Sequence, residues 1–208
     1  MKPYLLITAA LLPICSFGAT ISLNLYNTGV NDDGSVAADG TIDQHYTATN
    51  VSPVYVIPAY PAWAAPSAAS YVAPDTDYGQ DYDGGSYTLD YTTTFNLADG
   101  YNPATVSITG DWSTDNYGLD ILVNGNSTGS VSPDFTNFYS FALSGASGFF
   151  VNGVNTIDFQ WQNFSGPGGI AVEALSGTAD DTPEPATFGL VGLGLGFIGL
   201  AGRRLKRS

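Results

Sequence analysis

Between residues 3 and 202 the chain contains no lysine and no arginine. Its five cations are terminal, Lys2 at one end and Arg203, Arg204, Lys206 and Arg207 at the other, against 19 acids, so 208 residues carry a net charge of −14. A nucleic-acid partner is excluded, because binding phosphates requires cations that displace their counterions. Phosphoryl transfer is disfavoured on the same ground, and no phosphate-cradling G-x-x-x-x-G-K run is present. Cysteine and histidine are equally scarce, with Cys15 and His45 the single examples. Transition-metal sites built on thiolate and imidazole therefore have no ligand supply. A Ser-His-Asp site would have to form around His45 alone, in Asp43-Gln44-His45-Tyr46, with no Gly-x-Ser-x-Gly to serve it.

The two ends read as addresses. Residues 1–19 begin with Lys2, continue through the apolar run Tyr4 to Leu12, and close on Ser16-Phe17-Gly18, the order of a secretory signal peptide. The small-x-small rule favours cleavage after Gly18, and either that cut or one after Ala19 leaves a start at 19 or 20. A lipoprotein reading of Cys15 fails on Ile14, where a small residue should stand. With Cys15 removed, the exported protein has no thiol and forms no disulfide. At the other end, the linker 179–185 contains Pro183-Glu184-Pro185. Residues 186–202 follow without a charge, and the basic tail 203–208 closes the chain. As a helix, the uncharged stretch would span about 25 Å of the ~30 Å hydrocarbon core, a marginal transmembrane helix weakened by six glycines. The basic cluster should remain cytoplasmic, leaving the rest outside. An ordinary tail anchor is the plain alternative.

Pro183-Glu184-Pro185, the glycine-rich apolar stretch, the terminal Arg203, Arg204, Lys206 and Arg207 and the leader together resemble the PEP-CTERM sorting signal of exopolysaccharide-producing Gram-negative bacteria. The resemblance covers about the last 26 residues. It implies an inner-membrane-anchored precursor, cut near Pro183-Glu184-Pro185 by the transpeptidase exosortase, and a mature form at the cell surface or outside, in exopolysaccharide or biofilm. Two prolines keep the backbone extended, which places an accessible peptide just outside the bilayer.

The body, residues 20–178, is rich in Gly, Ser, Thr, Asn, Asp, Tyr and Val, the turn and strand formers. Ser86 to Phe95 alternates cleanly, with Tyr87, Leu89, Tyr91, Thr93 and Phe95 on one face. Further strands are expected at 105–109, 118–123, 138–143, 155–161 and 169–175, with 21–25 as an edge strand. Asn124-Gly125 marks a hairpin turn, since both positions need positive φ. Residues 51–74, with Pro53, Pro58, Pro61, Pro66 and Pro74, are expected to be surface loop or edge. Many short strands argue for an all-β sandwich of one domain. The runs Gly110-Asp111-Trp112, Asp120 to Gly125, Phe150 to Phe159 and Gly168 to Glu173 resemble galactose-binding-like jelly-roll β-sandwich domains, which implies that fold without fixing an activity.

The candidate sites are three. Sugar binding suits exposed aromatics with nearby polar groups, and Trp63, Tyr60 and Tyr55 in the proline-rich stretch are the aromatics expected at the surface, with Asp115 and Asn116 as hydrogen-bonding partners. Trp112 and Trp161 are expected in the core. Calcium is the metal that the oxygen-rich composition favours, with Asp75, Asp77, Asp81 and Asp83 as ligands and a solvated acidic loop as the plain alternative. No other cofactor is implied. Paired carboxylates for glycoside hydrolysis cannot be singled out from so many acids. The expectation is thus an exported, non-enzymatic structural or adhesive protein. A carbohydrate-binding module and, behind it, a secreted glycosidase are its rivals.

Overall fold

The computed structural model describes residues 19–51, 53–78 and 87–182. The signal segment, Asp81, Asp83, Pro183-Glu184-Pro185, the apolar stretch 186–202 and the basic tail lie outside the described residues. Among the described residues no helix is long and apolar enough to cross a membrane.

Among the described residues eleven strands run through the body: β1 Thr20–Ser22, β2 Thr47–Ala48, β3 Tyr55–Ile57, β4 Tyr71–Ala73, β5 Tyr87–Leu97, β6 Ser107–Asp115, β7 Tyr117–Val123, β8 Asn126–Ser127, β9 Tyr139–Ser144, β10 Gly153–Asn163 and β11 Gly169–Asp180. They form two antiparallel sheets. One has the order β3-β4-β11-β6-β9, with β1 also paired to β11, and the other the order β2-β5-β10-β7-β8. Chain neighbours β4 and β5, β5 and β6, β6 and β7, and β9 and β10 lie in opposite sheets.

Alternation builds the core. In β5 the side chains of Leu89, Tyr91, Thr93, Phe95 and Leu97 are buried, and in β10 those of Asn155, Ile157, Phe159, Trp161 and Asn163. Their strands pair in register over eleven residues, from Gly153 opposite Leu97 to Asn163 opposite Tyr87. Phe159 of the second sheet meets Trp112 and Phe141 of the first at ring-centroid distances of 5.6 and 5.7 Å, which joins the two inner faces. Trp112 and Trp161 are fully buried, as the sequence leads one to expect. Each such large side chain contributes about 1.5–3 kcal/mol or more of transfer free energy, so a body without a disulfide can rest on packing.

The Asn124-Gly125 turn joins β7 to β8 with φ of 49° and 77°. Asn124 also bonds away from its own hairpin. Its Nδ2 donates to the Phe149 carbonyl and to Asn155 Oδ1, each at 2.8 Å, and its Oδ1 accepts from the Thr156 N–H at 2.9 Å. The hairpin is thereby fixed to the start of β10.

The proline-rich stretch departs from expectation in one respect. β3 is at the sheet edge, but β4 lies between β3 and β11, and Tyr71, Val72 and Ala73 are fully buried. Proline excludes itself from inner strands because it lacks the ladder donor, and here Pro58 and Pro74 stand immediately after the two strands. Three proline-free residues were enough to place an inner strand in a segment whose composition reads as loop.

Candidate functional site

Four sequence-selected residues meet at one end of the body. Asp115 is the last residue of β6, and its neighbour Asn116 begins the connection to β7 through a cis peptide. Trp63 reaches them from the loop between β3 and β4, and its Nε1–H donates to Asp115 Oδ2 at 2.6 Å. Trp161 Nε1–H donates to the Asp115 main-chain carbonyl at 2.7 Å, so two indoles converge on one residue. Asn116 Nδ2 donates to Asp115 Oδ1 at 2.8 Å, while its Oδ1 accepts from the Phe164 N–H at 2.7 Å. Tyr60 lies against Trp63 at 5.8 Å.

Trp63 is not at the surface. It is 6% exposed, held at 4.6 Å from Tyr71 and edge-on to Tyr78 at 5.9 Å. Gly169 lets it approach β11, since a Cβ there would sit 3.2 Å from the indole ring. The expectation of exposure failed because a tryptophan in a loop still supplies a large apolar area, and a buried acceptor for its N–H was available 52 residues away. Asp115 is buried too, and burial pushes its carboxyl up to about 6, an effect that the Trp63 bond partly offsets. Behind it, Tyr71 Oη donates to the Ala64 carbonyl at 3.1 Å and accepts from the Ser113 hydroxyl at 3.0 Å. Burial raises the Tyr71 phenol to about 12; the Ser113 bond opposes this, and Asp115 and Glu173 add to it.

The exposed aromatics at this end are Tyr60, as expected, and two others. Tyr60 is 38% exposed, Tyr117 43% and Phe164 47%. Tyr117 and Phe164 pack edge-on at 5.5 Å, and Tyr60 is edge-on to Tyr78 at 5.6 Å. Tyr117 and Phe164 escaped selection, although each directly follows an asparagine at a strand boundary, which was the available signal. Both Asp115 carboxylate oxygens and the Asn116 carbonyl oxygen accept internal bonds. The arrangement is thus a braced frame beneath a rim of aromatic faces, and its accessible chemistry is stacking and apolar contact.

Of the acidic candidates, Asp75 and Asp77 stand just before Tyr78, whose ring packs on Tyr60 and Trp63. Asp75 accepts the Asp77 N–H at 2.9 Å in a local turn. Among the described residues no group of three or more His, Cys, Asp or Glu side chains could hold a metal ion. His45 stacks flat on Tyr26 at 3.6 Å, with Asp32 Oδ1 3.5 Å from its Nε2. Its neighbour Asp43 accepts the N–H groups of Gly29, His45 and Tyr46, at 2.6, 2.7 and 3.0 Å, so this loop is a folded turn around a carboxylate. Burial raises the Asp43 carboxyl despite those bonds. A cavity of 330 Å³ lined by Ser22, Ser107, Thr109, Ser176 and Thr178 opens where β1 meets β11, and no selected residue lines it.

Residues 181–207 match the PEP-CTERM protein-sorting motif. The motif marks an exported, membrane-anchored precursor that is processed by an exosortase. No curated protein matches the chain. Among solved structures, the Stig cyclase Fisc from Fischerella sp. TAU, in complex with (3Z)-3-(1-methyl-2-pyrrolidinylidene)-3H-indole, is 14% identical with a TM-score of 0.41, over 79% of this chain and 100% of that one. Another structure, of a cyclase from Fischerella sp. TAU, is 13% identical with a TM-score of 0.32, over 81% of this chain and 88% of that one. At this level of similarity neither informs on the chemistry of the present chain.

Proposed function

We propose that the mature protein is a non-enzymatic component of the cell surface or extracellular matrix, structural or adhesive in exopolysaccharide or biofilm, and that its C-terminal segment is a temporary handle. The observation that carries this reading is the sorting motif at 181–207, placed directly after the last sheet residues. In the proposal, residues 1–19 direct export, the apolar stretch holds the precursor in the inner membrane, and cleavage near Pro183-Glu184-Pro185 releases the body. The strand order supports a jelly-roll body. Taking β4 to β11 in sequence, the sheets read β4-β11-β6-β9 and β5-β10-β7-β8, the order of two Greek keys wound together. Mass spectrometry of the protein in cell and medium fractions tests the reading. External protein that begins at 19 or 20 and ends near 185 supports it, and an external form that keeps Arg203 to Arg207 refutes it.

A carbohydrate-binding module is the second reading, favoured by the convergence of Tyr60, Trp63, Asp115 and Asn116 at one end. On the geometry above, ring stacking would come from Tyr60, Tyr117 and Phe164, with Trp63, Asp115 and Asn116 as the frame. Binding to purified exopolysaccharide that disappears in Tyr60→Ala and Tyr117→Ala, with the thermal midpoint unchanged, would favour the module.

A further inference from the structure

We propose that β9 is a self-association edge, at which a second copy of this chain adds its own β9 in antiparallel pairing and extends the first sheet across a two-fold axis. The inference deepens the surface-component reading, and its test in solution does not depend on where the protein is delivered.

Every sheet edge carries unpaired main-chain N–H and C=O groups, and soluble proteins blunt such edges by shortness, cover, proline or charge. The opposite edge of the first sheet is covered, and the outermost strands of the second sheet are short. Along β3, Gly40 N–H donates to the Val56 carbonyl at 2.8 Å, Val56 N–H to the Thr41 carbonyl at 2.8 Å, and Asp43 N–H to the Val54 carbonyl at 2.9 Å. β1 has three residues, and β2 and β8 two each. β9 is different. It has six residues, Tyr-Ser-Phe-Ala-Leu-Ser, pairs with β6 in unbroken register, and among the described residues receives no main-chain hydrogen bond on its open side. Its sequence contains no proline and no charged residue.

Charge decides which partner fits. Residues 20–181 carry 18 acids and no Lys or Arg, so two copies repel over most of their surfaces. The run 135–157, which contains β9, has no charged residue at all. The nearest carboxylate on the inner neighbour β6 is Asp111, and Ser140 Oγ donates to it. It stands one strand back from the edge, a spacing of about 4.8 Å, and farther still from its symmetry mate. The outward side chains Ser140, Ala142 and Ser144 are small and exposed, so a second strand meets no charged side chain along β9, and the other carboxylate bonded to the strand, Asp134, is held at its first residue by the Tyr139 phenol at 2.6 Å. An antiparallel strand is complementary to a copy of itself, so one patch serves both partners and closes the assembly at two. A dimer would carry two aromatic rims, which gains avidity for any polymeric partner.

The experiment is sedimentation velocity on the purified protein, over a range of concentrations at low ionic strength and near 1 M salt. Screening to about 3 Å removes the long-range repulsion, so a reversible dimer is expected to strengthen with salt, opposite to an ionic contact. Ala142→Glu places like charges across the two-fold axis and should weaken dimerisation about tenfold or more. Val154→Glu, an exposed position on the other sheet, should leave it unchanged. Concentration-dependent hydrogen exchange on the unsubstituted protein gives a second readout, with slower exchange at amides of residues 139–144 in the dimer. A protein that stays monomeric under all conditions overturns the proposal. So does a dimer that persists in folded Ala142→Glu, an assembly that grows beyond two copies, or exchange at 139–144 that ignores concentration.

Discussion

Trp63 and Asp115 lie 52 residues apart in the chain and share a buried hydrogen bond of 2.6 Å between indole nitrogen and carboxylate oxygen. The bond ties the proline-rich loop to the end of β6, and Asp115 is in turn held by Asn116 and, through its main chain, by Trp161. Asp115→Ala removes the acceptor and leaves the Trp63 N–H in a site closed to water. The expected loss is about 1–3 kcal/mol for the unsatisfied group. Trp63→Phe removes both the donor and part of the ring, so the two substitutions together should cost less than their sum, because each already breaks the same bond. Urea unfolding of the single and double variants measures this; strict additivity would separate the two residues energetically.

The same carboxyl makes the body more stable in mild acid. Its folded pKa of about 6 stands above the ordinary 3.8, because burial favours the neutral form. A raised acid binds its proton more tightly when folded, so its contribution is complete below pH 3.8 and is lost as pH rises through about 6. Asp43 is shifted in the same direction by burial. Asp33 and Asp134 are lowered by bonds from Ser35 and from Tyr139 and Thr136, and they act oppositely as pH falls toward their range. Thermal midpoints should therefore fall between pH 5 and pH 7, and Asp115→Asn should flatten that slope. A midpoint that rises across this window would contradict the assignment.

Gly118 tests the packing between β7 and β6. A Cβ added there would lie 2.3 Å from the Trp112 ring, on a side chain that is fully buried and has Phe159 against it. The ring cannot retreat without moving its neighbours, so Gly118→Ala should destabilise by about 1–3 kcal/mol, the usual result of overfilling a core. Gly125→Ala has open space around its Cβ but a φ of 77°, so any cost there comes from backbone conformation alone. Guanidinium unfolding of both variants separates the two causes.

The strands that alternate were legible from the residues. Alternation at 86–95 and the run 155–161 foretold strands that extend over Tyr87–Leu97 and Gly153–Asn163, and Asn124-Gly125 announced its turn. What could not be read was any contact that depends on two distant segments coming together. Composition assigned residues 51–74 to surface loop or edge, yet Tyr71 to Ala73 became an inner strand, paired to β3 over three residues and to β11 where Val72 faces Ile170. Trp63 carried no local sign of its buried acceptor, and Tyr117 and Phe164 form an exposed pair only because the ends of β7 and β10 lie side by side. The candidate site was therefore legible in its members and not in their roles.

Folding of the body is separable from its delivery. The body closes its own last strand: Thr20 pairs with Asp180, Thr20 Oγ1 donates to Asp180 Oδ1 at 2.5 Å, and Asn102 N–H donates to the Asp180 carbonyl at 2.8 Å. Tyr101 and Asp181 form one further bridge, and the sorting motif begins at that residue. A chain stopped after Thr182 thus keeps every strand partner and should unfold within about 0.5 kcal/mol of the processed protein, the ordinary range for changes away from buried features. It lacks the motif, however, and should never appear as a membrane-held precursor. Pulse-chase fractionation compares the two chains. Equal folding with lost membrane retention is the expected pair of results, whereas an unchanged precursor pool would place the retention signal before residue 183.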